Sequence, residues 1–184
     1  MLLADEHLSK RARDVEWLLF DVDGVFTDGR LFYGPQGEQW KLFDVRDGLG
    51  LKLAQKAGLK VGILSGRTSE ALRFRAGELG IDALVMDRSD KKPAFEEFLA
   101  TQATTAERVA YMGDDLIDLP VLLRCGLAFA PADAVAEVRE RVHKVLLRPG
   151  GHGVVREMCE FVLRARGEWD HVIAPFLAED PARD

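Results

Sequence analysis

What most restricts the fold of this chain is a set of short, unbroken apolar runs that stop abruptly at small polar or acidic residues. Trp17-Leu18-Leu19-Phe20 ends at Asp21, Val61-Gly62-Ile63-Leu64 at Ser65, and Val109-Ala110-Tyr111-Met112 at Gly113-Asp114. A strand with one wet face alternates apolar and polar side chains. A continuously apolar strand must be covered on both faces, the situation of a parallel sheet between helices. Ala83-Leu84-Val85, Leu127-Ala128-Phe129-Ala130 and 142–147 are weaker runs of the same kind. Amphipathic stretches at 48–57, 69–79, 93–100, 117–124, 134–141 and 154–164 fill the gaps and predict helices. Thr68 or Ser69 and Asp90 stand where N-caps belong, and Gly58 and Gly80 follow the first two helices as stops. The alternation predicts an α/β domain, a parallel sheet with helices on both faces.

One segment interrupts it. Arg30–Tyr33, the turn Gly34-Pro35-Gln36-Gly37 and Glu38–Phe43 read as a β-hairpin inserted after the first strand, about 29–44, a flap over the sheet edge or a pairing surface. The chain of 184 residues fits one domain, 1–184, with an extended tail expected from about 166 to 184. The net charge of −6 argues against a nucleic-acid partner. No apolar run approaches the ~18–20 residues that span a bilayer. The opening residues lack the cationic start of a secretory signal, and the two cysteines, Cys125 and Cys159, form no metal or disulfide pattern, so a cytoplasmic setting is expected.

In an open parallel sheet, ligands sit beyond the carboxyl ends of the strands. There the chain places Asp21-Val22-Asp23-Gly24-Val25-Phe26-Thr27-Asp28-Gly29, Ser65-Gly66-Arg67, the pair Lys91-Lys92, and Gly113-Asp114-Asp115-Leu116-Ile117-Asp118. Two like charges ~4 Å apart repel by ~4 kcal/mol at an effective dielectric of ~20. Asp21, Asp23 and Asp114 would make three such pairs. A divalent cation removes the conflict, and an all-oxygen donor set selects a hard ion, Mg²⁺ foremost. Such an ion keeps positions for water and a phosphate oxygen, so a phosphorylated ligand is expected.

These residues resemble the haloacid dehalogenase superfamily of phosphatases: the DxDGxxTDG run, the strand-end Ser65, a lysine and GDDxxD occur in that family's order over residues 17–118. The resemblance implies a Rossmann-like three-layer sandwich. It also implies that Asp21 is the nucleophile, forming an aspartyl-phosphate, and that Asp23 is the general acid/base. Asp21 and Asp114 would give the ion carboxylate oxygens and Asp23 its backbone carbonyl, with Asp115 or Asp118 steering from behind. Ser65 would donate to a phosphoryl oxygen, and Lys91, favoured over Lys92 because Asp90 caps its helix, would offset the spread charge.

Asp44-Val45-Arg46-Asp47-Gly48 and Gly150-Gly151-His152-Gly153-Val154-Val155-Arg156-Glu157 extend the resemblance to about residue 165, toward the small bacterial phosphatases of eight- and nine-carbon sugar acids. It implies substrate contacts from Asp23, Asp44, Val45, Arg46, Asp47, Gly48, Lys52, Arg67, Arg75 and Lys91. The expected substrate is 3-deoxy-manno-octulosonate 8-phosphate, a lipopolysaccharide precursor, and the expected assembly a homotetramer joined through the hairpins. A sialic-acid-type sugar 9-phosphate is the alternative; its phosphatases tend to carry glutamate where this chain has Arg67. A non-catalytic phosphoacceptor or assembly domain is the remaining one, against which intact Asp21, Asp23 and Lys91 speak. Lys52, His152 and Met86-Asp87-Arg88-Ser89 depart from the family pattern. Asp28 reads as a cap on its loop, Asp118 equally as a helix cap, and His7, His143 and His171 as incidental.

Overall fold

The computed structural model describes residues 6–177. Six parallel strands, β1 (Trp17–Phe20), β4 (Lys60–Leu64), β5 (Ala83–Val85), β6 (Val109–Met112), β7 (Leu127–Ala130) and β8 (Lys144–Val145), form one sheet in the order β5-β4-β1-β6-β7-β8. A separate antiparallel hairpin joins β2 (Phe32–Gly34) to β3 (Gly37–Trp40). The helices are α1 (Glu6–Arg13), α2 (Val45–Lys56), α3 (Glu70–Leu79), α4 (Lys91–Thr101), α5 (Leu119–Leu122), α6 (Ala136–Arg139), α7 (Val154–Ala165) and α8 (Trp169–Leu177).

The unbroken apolar runs are explained by two cores. Leu18 and Phe20 of β1, Val61 and Ile63 of β4, Ala110 and Met112 of β6 and Leu127 and Phe129 of β7 pack on one face with α1, α2, α3, α7 and α8. Trp17 and Leu19, Leu64, Val109 and Tyr111, and Ala128 and Ala130 pack on the other with α4, α5 and α6. Side chains alternate along each strand, yet both sets are buried, as a two-sided parallel sheet requires. β1 lies at the centre, with Phe20 beside Ile63 of β4 and Met112 of β6. Its end therefore opens between two neighbouring strand ends.

Several boundaries differ from expectation. Asp44 caps α2 by accepting from the Arg46 amide at 2.8 Å, starting that helix at Val45 rather than 48. Asp90 does the same for α4, accepting from the Lys92 amide at 3.2 Å. The stretch at 117–124 opens as a 3-10 turn, Leu116–Asp118, before α5. The expected extended tail is corrected over its first half: 169–177 is helical, because Trp169 and Val172 are buried against the sheet-covering layer. The Trp169 ring stacks under two guanidinium groups of α7, Arg156 at 5.2 Å and Arg164 at 4.4 Å. Residues 178–184, the rest of that tail, lie outside the described residues. Helix α1 was not anticipated at all.

Candidate active site

The strand ladder carries its order into the loops beyond it. The Asp21 amide donates to the Met112 carbonyl at 3.0 Å and the Ser65 amide to the Val85 carbonyl at 2.9 Å. Asp21, Ser65 and Gly113-Asp114 are thereby fixed side by side at the carboxyl edge. After Asp21 the chain closes a tight turn in which the amides of Phe26 and Thr27 both donate to the Val22 carbonyl. Gly24 takes φ +84°, and a Cβ there would stand 2.0 Å from Asp114 Oδ2. The turn thus needs glycine both for its backbone and to leave room for the acid opposite.

Lys91, the first residue of α4, is the cation of the cluster. Its fully buried ammonium donates to Asp21 Oδ1 at 2.7 Å, to Asp118 Oδ1 at 2.6 Å and to the Tyr111 hydroxyl at 3.3 Å. Lys92 is exposed. Asp118 accepts in addition from the Tyr111 hydroxyl at 2.6 Å and, through Oδ2, from the amides of Asp114 and Asp115 at 3.0 and 3.2 Å. Each Asp118 oxygen has two protein donors, so its task is to brace Lys91 and the Asp114 loop.

Ligand oxygens of Asp21, Asp114 and Asp118 lie within 4.8 Å of one another. Burial, then the Asp118 charge, pushes the Asp21 carboxyl up to about 7 even though Lys91 opposes the shift. Burial, then the charges of Asp118 and Asp21, pushes Asp114 up to about 8. Lys91 is driven the other way: burial disfavours its charge, but Asp21 and Asp118 outweigh it and hold the ammonium above its ordinary range. Asp114 Oδ1 is buried without a hydrogen-bond partner. One lysine does not neutralise three acids, and Asp114 keeps an oxygen that no protein donor satisfies. The residues present fit a hard divalent cation, with Asp21 and Asp114 as its carboxylate donors.

Asp23 stands two residues on, its Oδ1 ion-paired with Lys41 and its Oδ2 3.6 Å from Arg67 Nε. With Asp21, Gly66, Arg67, Asp114 and Asp115, it lines a cleft of about 230 Å³. Ser65 is buried beside this cleft, and its hydroxyl donates to the Arg67 carbonyl and accepts from the Arg67 amide, both at 3.2 Å. It shapes the Gly66-Arg67 turn, and reaching a phosphoryl oxygen requires its hydrogen to turn away from that carbonyl.

The remaining residues expected to touch substrate are gathered elsewhere, along α2 and α3, and none lines this cleft. Asp44 is engaged with the amide and guanidinium of Arg46, whose hydrogen bonds hold its carboxyl below the usual range. Val45 is 78% exposed. Asp47 is buried, accepting from the Arg156 amide at 2.7 Å, so it ties α2 to the start of α7 instead of facing a ligand. Burial pushes its carboxyl up to about 6. Gly48 makes room for the Arg75 guanidinium, 2.5 Å from where a Cβ would stand. Arg75 pairs with Glu78 at 3.3 Å, and Lys52 donates to the Leu79 carbonyl at 2.6 Å, capping α3.

Two members of the site were not foreseen. Tyr111 looked like one more apolar strand residue, its hydroxyl beside the GDDxxD run being the only signal. Lys41 sits in the hairpin exit, with no spacing to connect it to Asp23. The glycine run at 150–153 also has a definite duty. The Gly150 amide donates to Asp133 Oδ1 and the Gly151 amide to the Val25 carbonyl, both at 2.9 Å, clasping the turn after Asp21 from outside.

A parallel sheet whose central strand delivers paired aspartates, flanked by a strand-end serine, a buried lysine and an acidic loop, defines the class: a haloacid dehalogenase-type phosphotransfer fold. A Legionella pneumophila structure described as a hydrolase of that superfamily, subfamily III A, superposes with a TM-score of 0.88 at 35% identity, over 95% of this chain and 96% of that one. The chain is 42% identical over 161 residues to the 3-deoxy-D-manno-octulosonate 8-phosphate phosphatase KdsC of Haemophilus influenzae, 88% of this chain and 89% of that protein. The phosphatase of the same name from Moraxella catarrhalis, solved in complex with a magnesium ion, a phosphate ion and KDO, superposes with a TM-score of 0.90 at 32% identity, covering 93% and 98% of the two chains. No family profile matches the chain. The protein belongs to the 3-deoxy-D-manno-octulosonate 8-phosphate phosphatase family.

Proposed function

We propose that this protein is a Mg²⁺-dependent phosphomonoester hydrolase that releases phosphate from 3-deoxy-D-manno-octulosonate 8-phosphate, with Asp21 as nucleophile. The observation that carries the reading is the gathering of Asp21, Asp114 and Asp118 at the end of β1, with the buried Lys91 ammonium paired to Asp21 and Asp118. Similarity to phosphatases of that substrate supports the choice of sugar acid.

In this mechanism Lys91 holds Oδ1 of Asp21 and keeps its carboxylate aimed along the strand axis into the cleft. The Asp21 oxygen bonds to phosphorus as the ester bond breaks toward the sugar oxygen, and Asp23 gives that oxygen a proton. Asp23 then takes a proton from the water that cleaves the aspartyl-phosphate, restoring Asp21. Arg67, half exposed at the cleft wall, suits the anionic groups of a sugar acid, because guanidinium pairs with carboxylate or phosphate through two donors. A bound Mg²⁺, held by Asp21, Asp114 and the Asp23 carbonyl, would neutralise phosphoryl oxygens and remove the repulsion among the acids.

The proposal includes assembly of four copies through the hairpins. Phe32, Tyr33, Trp40 and Leu42 are 44–68% exposed on that element, an apolar surface suited to burial between copies. It also includes a cytoplasmic setting, which suits two buried free thiols. Among the described residues, no helix is long and apolar enough to cross a membrane.

The test is phosphate release from the 8-phosphate compared with sialic-acid-type 9-phosphates, by wild type and Asp21→Asn. The reading predicts higher kcat/KM on the 8-phosphate and a loss of at least about 10³-fold in the variant, with an unchanged melting profile. Preference for a 9-phosphate would overturn the substrate, and substantial turnover by Asp21→Asn the nucleophile.

A further inference from the structure

The mechanism above leaves one buried cation at the site without a task. Lys41 follows β3 of the hairpin, far from the strand ends in sequence, yet its side chain is only 1% exposed. The ammonium ion-pairs with Asp23 Oδ1 and stands 2.9 Å from Glu38 Oε1, a hairpin carboxylate 12% exposed. Across the same hairpin, Arg67 Nη1 donates to the Tyr33 hydroxyl at 3.4 Å, and Arg67 Nε lies 3.6 Å from the other Asp23 oxygen. Asp23 is therefore gripped on both oxygens, by Lys41 on one side and by an arginine in touch with the hairpin on the other.

A buried ammonium is costly unless paired, and a lysine needed only to pin the hairpin could be satisfied by Glu38, three residues away. This lysine spends a second contact on a carboxyl facing the cleft. We propose that Lys41 is a positioning residue for the reaction, acting through Asp23. It fixes the carboxyl rotamer that meets the leaving oxygen. The inference rests on the reading of Asp23 as acid and base.

The proton accounting shows where Lys41 matters. In the first half-reaction the phosphorus–oxygen ester bond breaks with its electron pair on the sugar oxygen. That oxygen takes the Asp23 proton, and the new carboxylate lies beside Lys41. In the second half, water gives a proton to Asp23 while its oxygen bonds to phosphorus, and the bond to Asp21 breaks with its pair on the Asp21 oxygen. A poor leaving group such as a sugar alkoxide needs the first transfer. A nitrophenolate, stable as an anion, does not.

The experiment is therefore a leaving-group comparison in the full-length protein with Mg²⁺. Values of kcat and KM are measured for wild type, Lys41→Met and Lys41→Arg on 3-deoxy-D-manno-octulosonate 8-phosphate and on p-nitrophenyl phosphate. Lys41→Met is expected to lose on the order of 10²-fold in kcat/KM on the sugar phosphate, mostly in kcat, and about tenfold less than that on the nitrophenyl ester. Lys41→Arg should recover most of the loss. Equal losses on both substrates, or none on either, would overturn the proposal, since a merely structural cation cannot distinguish leaving groups. Lys41→Gln is read in the same way if Lys41→Met does not fold. If wild type ignores the sugar acid phosphate but hydrolyses another alkyl phosphomonoester, the substrate reading falls and the leaving-group contrast is read on that ester.

Discussion

At the scale of single residues, the site is an exercise in placing acids where water cannot relieve them. Asp118 is fully buried and accepts from four donors, so its charge is compensated while it holds Lys91 and the Asp114 loop in one arrangement. Asp47 is the opposite case: 1% exposed, with one oxygen on the Arg156 amide and the other unpaired. Its carboxyl lies at about 6 in the fold against 3.8 in an open chain, so its favourable contribution is complete below about pH 3.8 and is lost as pH rises through 6. Asp47→Asn should accordingly make the protein more stable than wild type at pH 7.5, by on the order of 1–3 kcal/mol, with the gap closing as pH falls toward 4. Urea unfolding at several pH values measures this, and a constant difference across the range would refute it. Asp21 and Asp114 could be read in the sequence because each follows an apolar run within a residue or two, and Lys91 because Asp90 stands where the cap of the next helix belongs. Lys41 and Tyr111 could not, since what recruits them is proximity through a hairpin and a hydroxyl on a buried strand.

Among elements, the sheet was legible because both faces of every central strand are buried, and that condition writes itself as unbroken apolar sequence. Helix α8 was not, because Pro175 and the surrounding charges mask the two residues, Trp169 and Val172, that hold it down. Nor did spacing reveal that Asp44 to Gly48 would start a helix away from the cleft, with Asp47 turned inward to α7. The turn at 150–153 shows how a remote element can hold the turn that follows Asp21. A Cβ on Gly150 would meet the Gly24 carbonyl oxygen at 2.0 Å, and Gly24 in turn abuts Asp114. Both contacts are with groups that have little freedom to retreat, so Gly150→Ala must displace the turn after Asp21. It should cost about 1–3 kcal/mol of stability and a disproportionate share of activity. Melting curves beside phosphate-release rates decide it; a variant with wild-type values for both would show that the turn has slack.

For the molecule as a whole, two cores fix the sheet while one edge is left electrostatically unfinished. The acids there are tolerable in the folded state because Lys91 offsets part of their repulsion, and a divalent ion would offset the rest. Arg46, Lys52 and Arg75 do not line the cleft, and the hairpin presents exposed aromatic surface. Assembly through the hairpins would cover that surface. Binding an ion only in the fold stabilises by RT ln(1 + [ion]/Kd), about 2.7 kcal/mol at a hundredfold excess over Kd, so Mg²⁺ should also raise the melting temperature. The most direct test of the central claim, that these carboxylates are gathered to hold a cation and attack phosphorus, is the dependence of phosphate release on Mg²⁺ concentration in chelator-stripped wild type and Asp114→Asn. The account predicts no turnover without the ion, saturable recovery in wild type, and a much higher Mg²⁺ requirement or none met in the variant. Undiminished release from the stripped protein would contradict it.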